Sequence, residues 1–334
     1  MPAPRNASLD ALRVLSLTGI ITLHVAGGGF NDNKALAFVL DELSRFAVPA
    51  FFILSAYFWK PEELAAPWRL TLRVAARVLP AFLLWTAVFV LLAQLEHLDR
   101  AAIDYSPGGL LLVLWTGGPA FHLWFLPALV VSTALVGLLG RWVGWRPTLA
   151  LSLLLFAGGT LLGAYAKPLF GHGFPFWMDR NGLFFGPVFL TAGVLLRRHQ
   201  GQLAALPMWG ITAAVLGFGL AQVAEGFLIV GRYPMGHDYS LATLGYAVAV
   251  VLLFTRLELR SRLWFSLGKA TFAAYLVHPL ILEWLVMTLR VQPSGLVIVL
   301  CVAITLAIGV VWQSLRAAWP DPGKARIAGR SSSL

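Results

Sequence analysis

Charge is what this sequence has least of. Asp, Glu, Lys and Arg make up 12% of its 334 residues, where soluble proteins carry about 25%. So few charged side chains cannot cover a soluble surface, and a soluble globule is excluded. The hydrophobic share of 59% excludes a disordered chain, because disorder goes with low hydrophobicity. The single cysteine, Cys301, excludes an intramolecular disulfide and a cysteine-rich metal site. It lies in the apolar run VIVLCVAITLAI and reads as a buried thiol. There is no Walker loop, no GxGxxG and no His/Asp/Glu cluster at metal spacing, so no metal is expected. The short alternating segments of a transmembrane β-barrel are missing too.

What the chain has instead is long apolar runs, a mean hydropathy of +0.78, and 22 Phe and 13 Trp suited to lipid-facing and interfacial positions. The fold class is all-α, a polytopic transmembrane helix bundle. A helix satisfies its own backbone in lipid, and about 20 apolar residues cross a ~30 Å hydrocarbon core. Ten candidate spans follow, at 9–29, 36–58, 78–96, 119–140, 148–166, 182–196, 207–230, 239–255, 270–289 and 294–315. The run 107–117 is too short to span and reads as interfacial or re-entrant. Residues 1–319 form one membrane domain, and 320–334 read as a polar, disordered cytoplasmic tail.

The net charge of +10 raises the question of a nucleic-acid partner. The distribution of the basic residues answers it. With the N-terminus cytoplasmic, seventeen of the 25 Lys and Arg fall on inner segments and six on outer ones, with Arg13 and Arg45 inside spans. That is the positive-inside pattern, so the partner is membrane lipid and no nucleic acid is needed. Both termini are placed in the cytoplasm. The first span also has the size of a signal peptide, with AGGG at 26–29 as a cleavage site. Its internal ionisable groups argue against that.

Those groups are Asp10, Arg13 and His24. An ionisable group costs about 2.5–3.5 kcal/mol at the centre of a span and marks function by default. Arg13 and His24 are eleven residues apart, about three turns. Both therefore project from one face, ~16 Å apart along the axis. A structural alternative has Arg13 snorkelling to headgroups and His24 bonding a neighbouring helix.

At this pair the sequence resembles a family. LDALRVLSLTGIITLH is similar to the Arg-x10-His opening of the acyltransferase-3 family, integral membrane acyltransferases of the O-antigen and polysaccharide O-acetylase type. VPAFFILSAYFW (48–59), RVLPAFLLW (77–85), FHLWFLPALV (121–130) and ATFAAYLVHPLIL (270–282) resemble further family segments, in family order. Ala56 stands where relatives carry Gly, and the basic residues Arg69, Arg73 and Arg77 depart from the family's Arg-x-x-Arg spacing.

The resemblance implies O-acyl transfer from acetyl-CoA or another acyl-CoA to a hydroxyl of a cell-envelope glycan or glycolipid, in the bacterial inner membrane. His24 is the candidate general base, since imidazole titrates nearest neutrality. Arg13, Arg73 and Arg77 are candidates for the phosphates of CoA, although Arg73 and Arg77 also serve as plain topological charges. His278 is read as a donor contact or an orienting residue. Pro279 after it should free a carbonyl one turn back, around Tyr275. Arg45, His122, Trp124, Glu225 and Glu283 are placed toward the outer side, as the lining of an acceptor site. His172 and His237 read as solvated, and Ser55 as a packing serine. A transporter or flippase without transfer chemistry is the alternative. It predicts two matching repeats, and the sequence shows none.

Overall fold

The computed structural model describes residues 6–27, 33–95, 106–116, 120, 122–230 and 237–318. Among them there is no strand. The helices run α1 (Ala7–Ala26), α2 (Lys34–Ser44), α3 (Ala47–Tyr57), α4 (Pro61–Ala65), α5 (Pro67–Leu95), α6 (Pro107–Thr116), α7 (Phe125–Trp142) and α8 (Trp145–Leu162). They continue as α9 (Ala166–Phe170), α10 (Gly186–Arg198), α11 (Gln200–Ala204), α12 (Met208–Val230), α13 (Leu241–Arg256), α14 (Arg262–Glu283) and α15 (Gly295–Ala318). A π-helical turn, Trp284–Thr288, extends α14. The multi-span helical bundle expected from composition is what forms. The tail 320–334 lies outside the described residues.

Among the described residues, seven helices are long and apolar enough to cross a membrane: α1, α5, α7, α8, α12, α14 with its π turn, and α15. The expected count was about ten. The candidate spans 182–196 and 239–255 become α10 and α13, of 13 and 16 residues. The candidate span 36–58 is broken into α2 and α3 at Arg45 and Phe46. The break has a local cause. Pro49 has no N–H for the carbonyl of Arg45, so the ladder is interrupted there. The basic residues Arg69, Arg73 and Arg77 lie within α5 and not in a loop, because Pro67 starts that helix well before the apolar stretch at 78 begins.

Helix starts are read from the local sequence. Asn6 caps α1 through its side chain, accepting from Ser8 N at 2.8 Å. Asn33 caps α2 and Ser261 caps α14 in the same way. The most extensive pairings are α14 with α15 and with α1, α10 with α3, α12 with α13, and α5 with α7. The side chain of Ser8 donates to the carbonyl of Leu257 at 2.6 Å and accepts from Leu259 N at 2.9 Å. It thereby ties the start of α1 to the segment between α13 and α14.

The C-terminal half of α2 carries a buried ionic cluster. Arg45 pairs with Asp41 at 2.5 Å and Glu42 at 3.3 Å, and donates to the carbonyl of His237 at 2.5 Å. Glu42 also accepts from Gln222 of α12 at 2.7 Å and faces Nε2 of His237 at 3.6 Å. His237 is therefore buried, against the expectation of a solvated residue. Burial, with the charge of Arg45, holds its imidazole below the ordinary value. A ring with that balance stays neutral beside Glu42. The expectation failed because the partners of His237 come from α2, nearly two hundred residues earlier. His172 is exposed, as expected, and Cys301 is buried.

Helices α1 and α14 pack tightly at Gly268. A Cβ added there comes within 2.5 Å of both Cβ and Oδ1 of Asp10, which is fully buried and holds Arg13. Gly217 of α12 has open space at the same position. Gly268→Ala is therefore expected to destabilise the fold by about 1–3 kcal/mol, the range for overpacking. Gly217→Ala should be neutral. Thermal unfolding of the purified protein in detergent, followed by fluorescence, checks this. Equal midpoints for the two variants would show that the α1–α14 contact is loose.

Candidate active site

Helix α1 is unbroken from Ala7 to Ala26. Its continuity makes the Arg13–His24 register real, at 1.5 Å per residue or about 16 Å along one helix. Arg13 pairs with buried Asp10 at 2.5 Å and lies over the ring of Phe58, 5.4 Å from its centroid. His24, in the last turn, remains partly exposed.

Around His24 the bundle gathers two further imidazoles. His278 of α14 is fully buried, and its ring lies against that of His24 with centroids 5.2 Å apart and planes at 11°. His122, in the turn before α7, packs edge-on to His278 at 5.2 Å and to Tyr275 at 5.5 Å. The hydroxyl of Tyr275 donates to the backbone carbonyl of His122 and pins that turn to α14. Phe89 of α5 closes the cluster against His122 at 5.3 Å. Three histidines from three distant parts of the chain thus share one site.

A cation lies over aromatic rings beside them. Arg180 lies above the ring of Phe176 at 4.5 Å and of Trp124 at 5.7 Å, and pairs with Asp238 at 3.3 Å. Its charge acts on both His24 and Tyr275. In the sequence Arg180 is one of the six basic residues that the charge count places on outer segments. The aromatic stretch FPFWMDR (174–180) is the signal that was available, since a cation flanked by rings is often held over them. Trp124 is buried and packs on Phe185 at 5.2 Å, which places it beneath Arg180.

The other residues singled out from sequence lie elsewhere. Arg73 pairs with Glu63 of α4, and Arg77 is exposed on α5. Arg45 is enclosed in the α2 cluster. Glu225 accepts from the N–H groups of Leu241 and Ala242 at 2.9 and 2.7 Å, from Ser240 at 2.7 Å, and from the hydroxyl of Tyr165. It serves as a cap for α13. Glu283 is partly buried in the last turn of α14, five residues beyond His278. A cavity of about 520 Å³ opens at the end of the bundle where α1 begins, lined by Asn6, Tyr57, Gln200, Arg256 and Glu258 among others.

Comparison with known proteins gives three findings. The acyltransferase domain family matches residues 6–312. A serine/alanine racemase of Enterococcus gallinarum is 26% identical over 337 residues, covering 93% of this chain and 46% of that protein. An amino-acid racemase of Enterococcus faecalis is 27% identical over 297 residues, covering 83% of this chain and 41% of that protein. The chain thus spans less than half the length of these curated relatives. No solved structure matches it significantly.

The segment bearing Arg180 contains a carboxyl with a shifted titration. Burial, and then the charge of Asp238, push Asp179 up to about 7, with Arg180 opposing. Unfolded Asp ionises near pH 3.9. Between about pH 4 and 7 the unfolded chain has lost that proton and the folded chain has kept it. Stability from this group therefore falls as pH rises through that window and is constant above it. Asp179→Asn should unfold at the same temperature as wild type near pH 4 and at a higher one at pH 8. Thermal midpoints of both proteins across pH 4–8 check the sign. A wild-type midpoint that rises relative to the variant would place the carboxylate in a stabilising pair instead.

Proposed function

The chain belongs to the acyltransferase domain family, and from that premise we propose that this membrane acyltransferase carries an acyl group from acyl-CoA to a hydroxyl of a cell-envelope glycan or glycolipid. Acetyl is the proposed group, and the bacterial inner membrane the proposed setting, with both termini in the cytoplasm. The observation that carries the reading is the single unbroken helix that holds Arg13 near one end and His24, within a cluster of three imidazoles, near the other.

The chemistry follows from that separation. His24 takes the proton of the acceptor hydroxyl. The oxygen attacks the thioester carbonyl, and the bond from carbon to sulfur breaks. The thiolate of CoA then receives the proton, so the products are the ester and free CoA. A general base of this kind contributes about 10²–10⁴-fold. Arg13 is assigned to the phosphates of CoA, with Arg73 and Arg77 as further contacts at that end. The cavity beside Asn6 and Tyr57 is of a size that small-molecule sites use, roughly 300–1,000 Å³. A pantetheine arm is suited to the ~16 Å between Arg13 and His24. Arg180 over Trp124 is assigned to the acceptor side, where a ring can stack on a sugar. The racemase names belong to proteins more than twice as long as the match, and racemisation is not proposed for this chain.

Mass spectrometry of envelope glycans and glycolipids from cells with and without the protein tests the function. An added acyl mass that depends on the protein is expected. Its absence from every fraction, with the protein folded and in the membrane, would leave the transporter reading. His24→Ala should abolish the added mass at unchanged protein level. Arg13→Ala should weaken CoA binding measured by calorimetry, and unchanged affinity would reduce Arg13 to a structural charge. Sidedness is read from single cysteines at 13 and 24 in a Cys301→Ala background, probed with impermeant thiol reagents. Labelling of position 24 only from the cytoplasm would move the acceptor to that side.

A further inference from the structure

Pro279 lies inside α14 and has no N–H to give to the carbonyl of Tyr275, four residues back. In hydrocarbon that carbonyl must find its donor within the protein. It finds Nδ1 of His278, at 2.5 Å. A carbonyl oxygen only accepts, so the hydrogen is on Nδ1, and Nε2 of the neutral ring carries a lone pair. That Nε2 is buried and has no hydrogen-bond partner among the described residues. An orphaned buried nitrogen is uncommon and calls for a reason.

The ring stacked beside His278 belongs to His24. The centroids are 5.2 Å apart and the planes nearly parallel. At that spacing a single water can bridge the two rings. His24 is partly exposed and His278 is not. His24 therefore meets the substrate, and His278 stands behind it with an acceptor atom fixed in place by the backbone.

We propose that His278 receives a proton from His24 during transfer, and that Pro279 is the residue that holds His278 in the receiving tautomer. The proposal rests on the acyl-transfer reading above. The O–H bond of the acceptor breaks and its proton goes to one nitrogen of His24. The proton on the other nitrogen of His24 moves to Nε2 of His278. The hydroxyl oxygen forms the ester bond as the thioester C–S bond breaks. The proton returns along the same path to the thiolate of CoA. While His278 is an imidazolium, its Nδ1–H bond to Tyr275 is charge-assisted and stronger than in the neutral ring. His278 acts through His24 and is a positioning residue.

The test uses the full chain in membrane vesicles, with isotope-labelled acetyl-CoA as the probe and transfer to endogenous acceptors as the readout. His278→Asn keeps a donor near the Tyr275 carbonyl and removes Nε2. Pro279→Ala restores the helical N–H, which competes for that carbonyl and releases the tautomer. Both are expected to lower kcat at least tenfold at unchanged KM for acetyl-CoA, while Pro279→Ala unfolds at no lower temperature than wild type. Nitrogen-15 NMR of histidine-labelled protein should show His278 protonated at Nδ1 in wild type and at either nitrogen in Pro279→Ala. Wild-type kcat in both variants, or an Nε2-protonated His278 in wild type, would overturn the proposal. If His278→Asn does not fold, Pro279→Ala and the tautomer spectrum still decide. If wild-type vesicles transfer nothing, the acyl-transfer reading fails, and the spectrum alone shows whether the tautomer assignment stands.

Discussion

In hydrocarbon a polar group has only the protein to bond to. Helical ladders meet that demand for most of this chain, and the informative places are those where the ladder is interrupted. Pro49 interrupts it between α2 and α3, where Arg45, Asp41, Glu42 and Gln222 gather in the interior. Pro279 interrupts it in α14, where His278 takes up the carbonyl left without a donor. Each proline stands beside a collection of buried polar side chains.

The two collections differ in kind. The α2 cluster is an ion network in which almost every charge is answered, through Arg45 to Asp41, Glu42 and the His237 carbonyl, and through Gln222 to Glu42. Breaking such a network by removing one partner is costly, about 3–5 kcal/mol for a buried pair, because the other charge is left behind. Its role is to fix α2 against α12 and the segment before α13. The imidazole cluster is built from rings held by packing and by backbone carbonyls, with Arg180 over the neighbouring Trp124 and Phe176. The Nδ1 bond to the Tyr275 carbonyl leaves Nε2 of His278 open to a partner, which a closed ion network does not offer.

Helix α1 joins the two ends of the bundle. Its start is held by Asn6, Ser8 and Asp10, through a cap, two backbone bonds and the ion pair to Arg13. Its end presents His24 to α14. Because the helix is rigid and unbroken, the separation between cation and imidazole is set by residue count alone. In the proposed mechanism, that fixed distance lets a donor anchored by its phosphates meet a base set apart from them.

Composition and local spacing were enough for the all-helical membrane bundle, since long apolar runs in lipid have no other stable form. The Arg13–His24 register was legible for the same reason, both residues belonging to one helix. The vacancy at Tyr275 was legible too, because proline acts on a carbonyl four residues away. Tertiary structure decided the rest. His24, His122 and His278 are each isolated in sequence, and their convergence depends on α1, the turn before α7 and α14 packing together. His237 was read as solvated and Arg180 as one outer-segment charge among six, because the carboxylates and the Trp124 ring that hold them come from distant segments. The break in 36–58 had local signals in DELSR (41–45) and Pro49, but a span count by hydropathy averages over side chains and does not register a missing backbone donor.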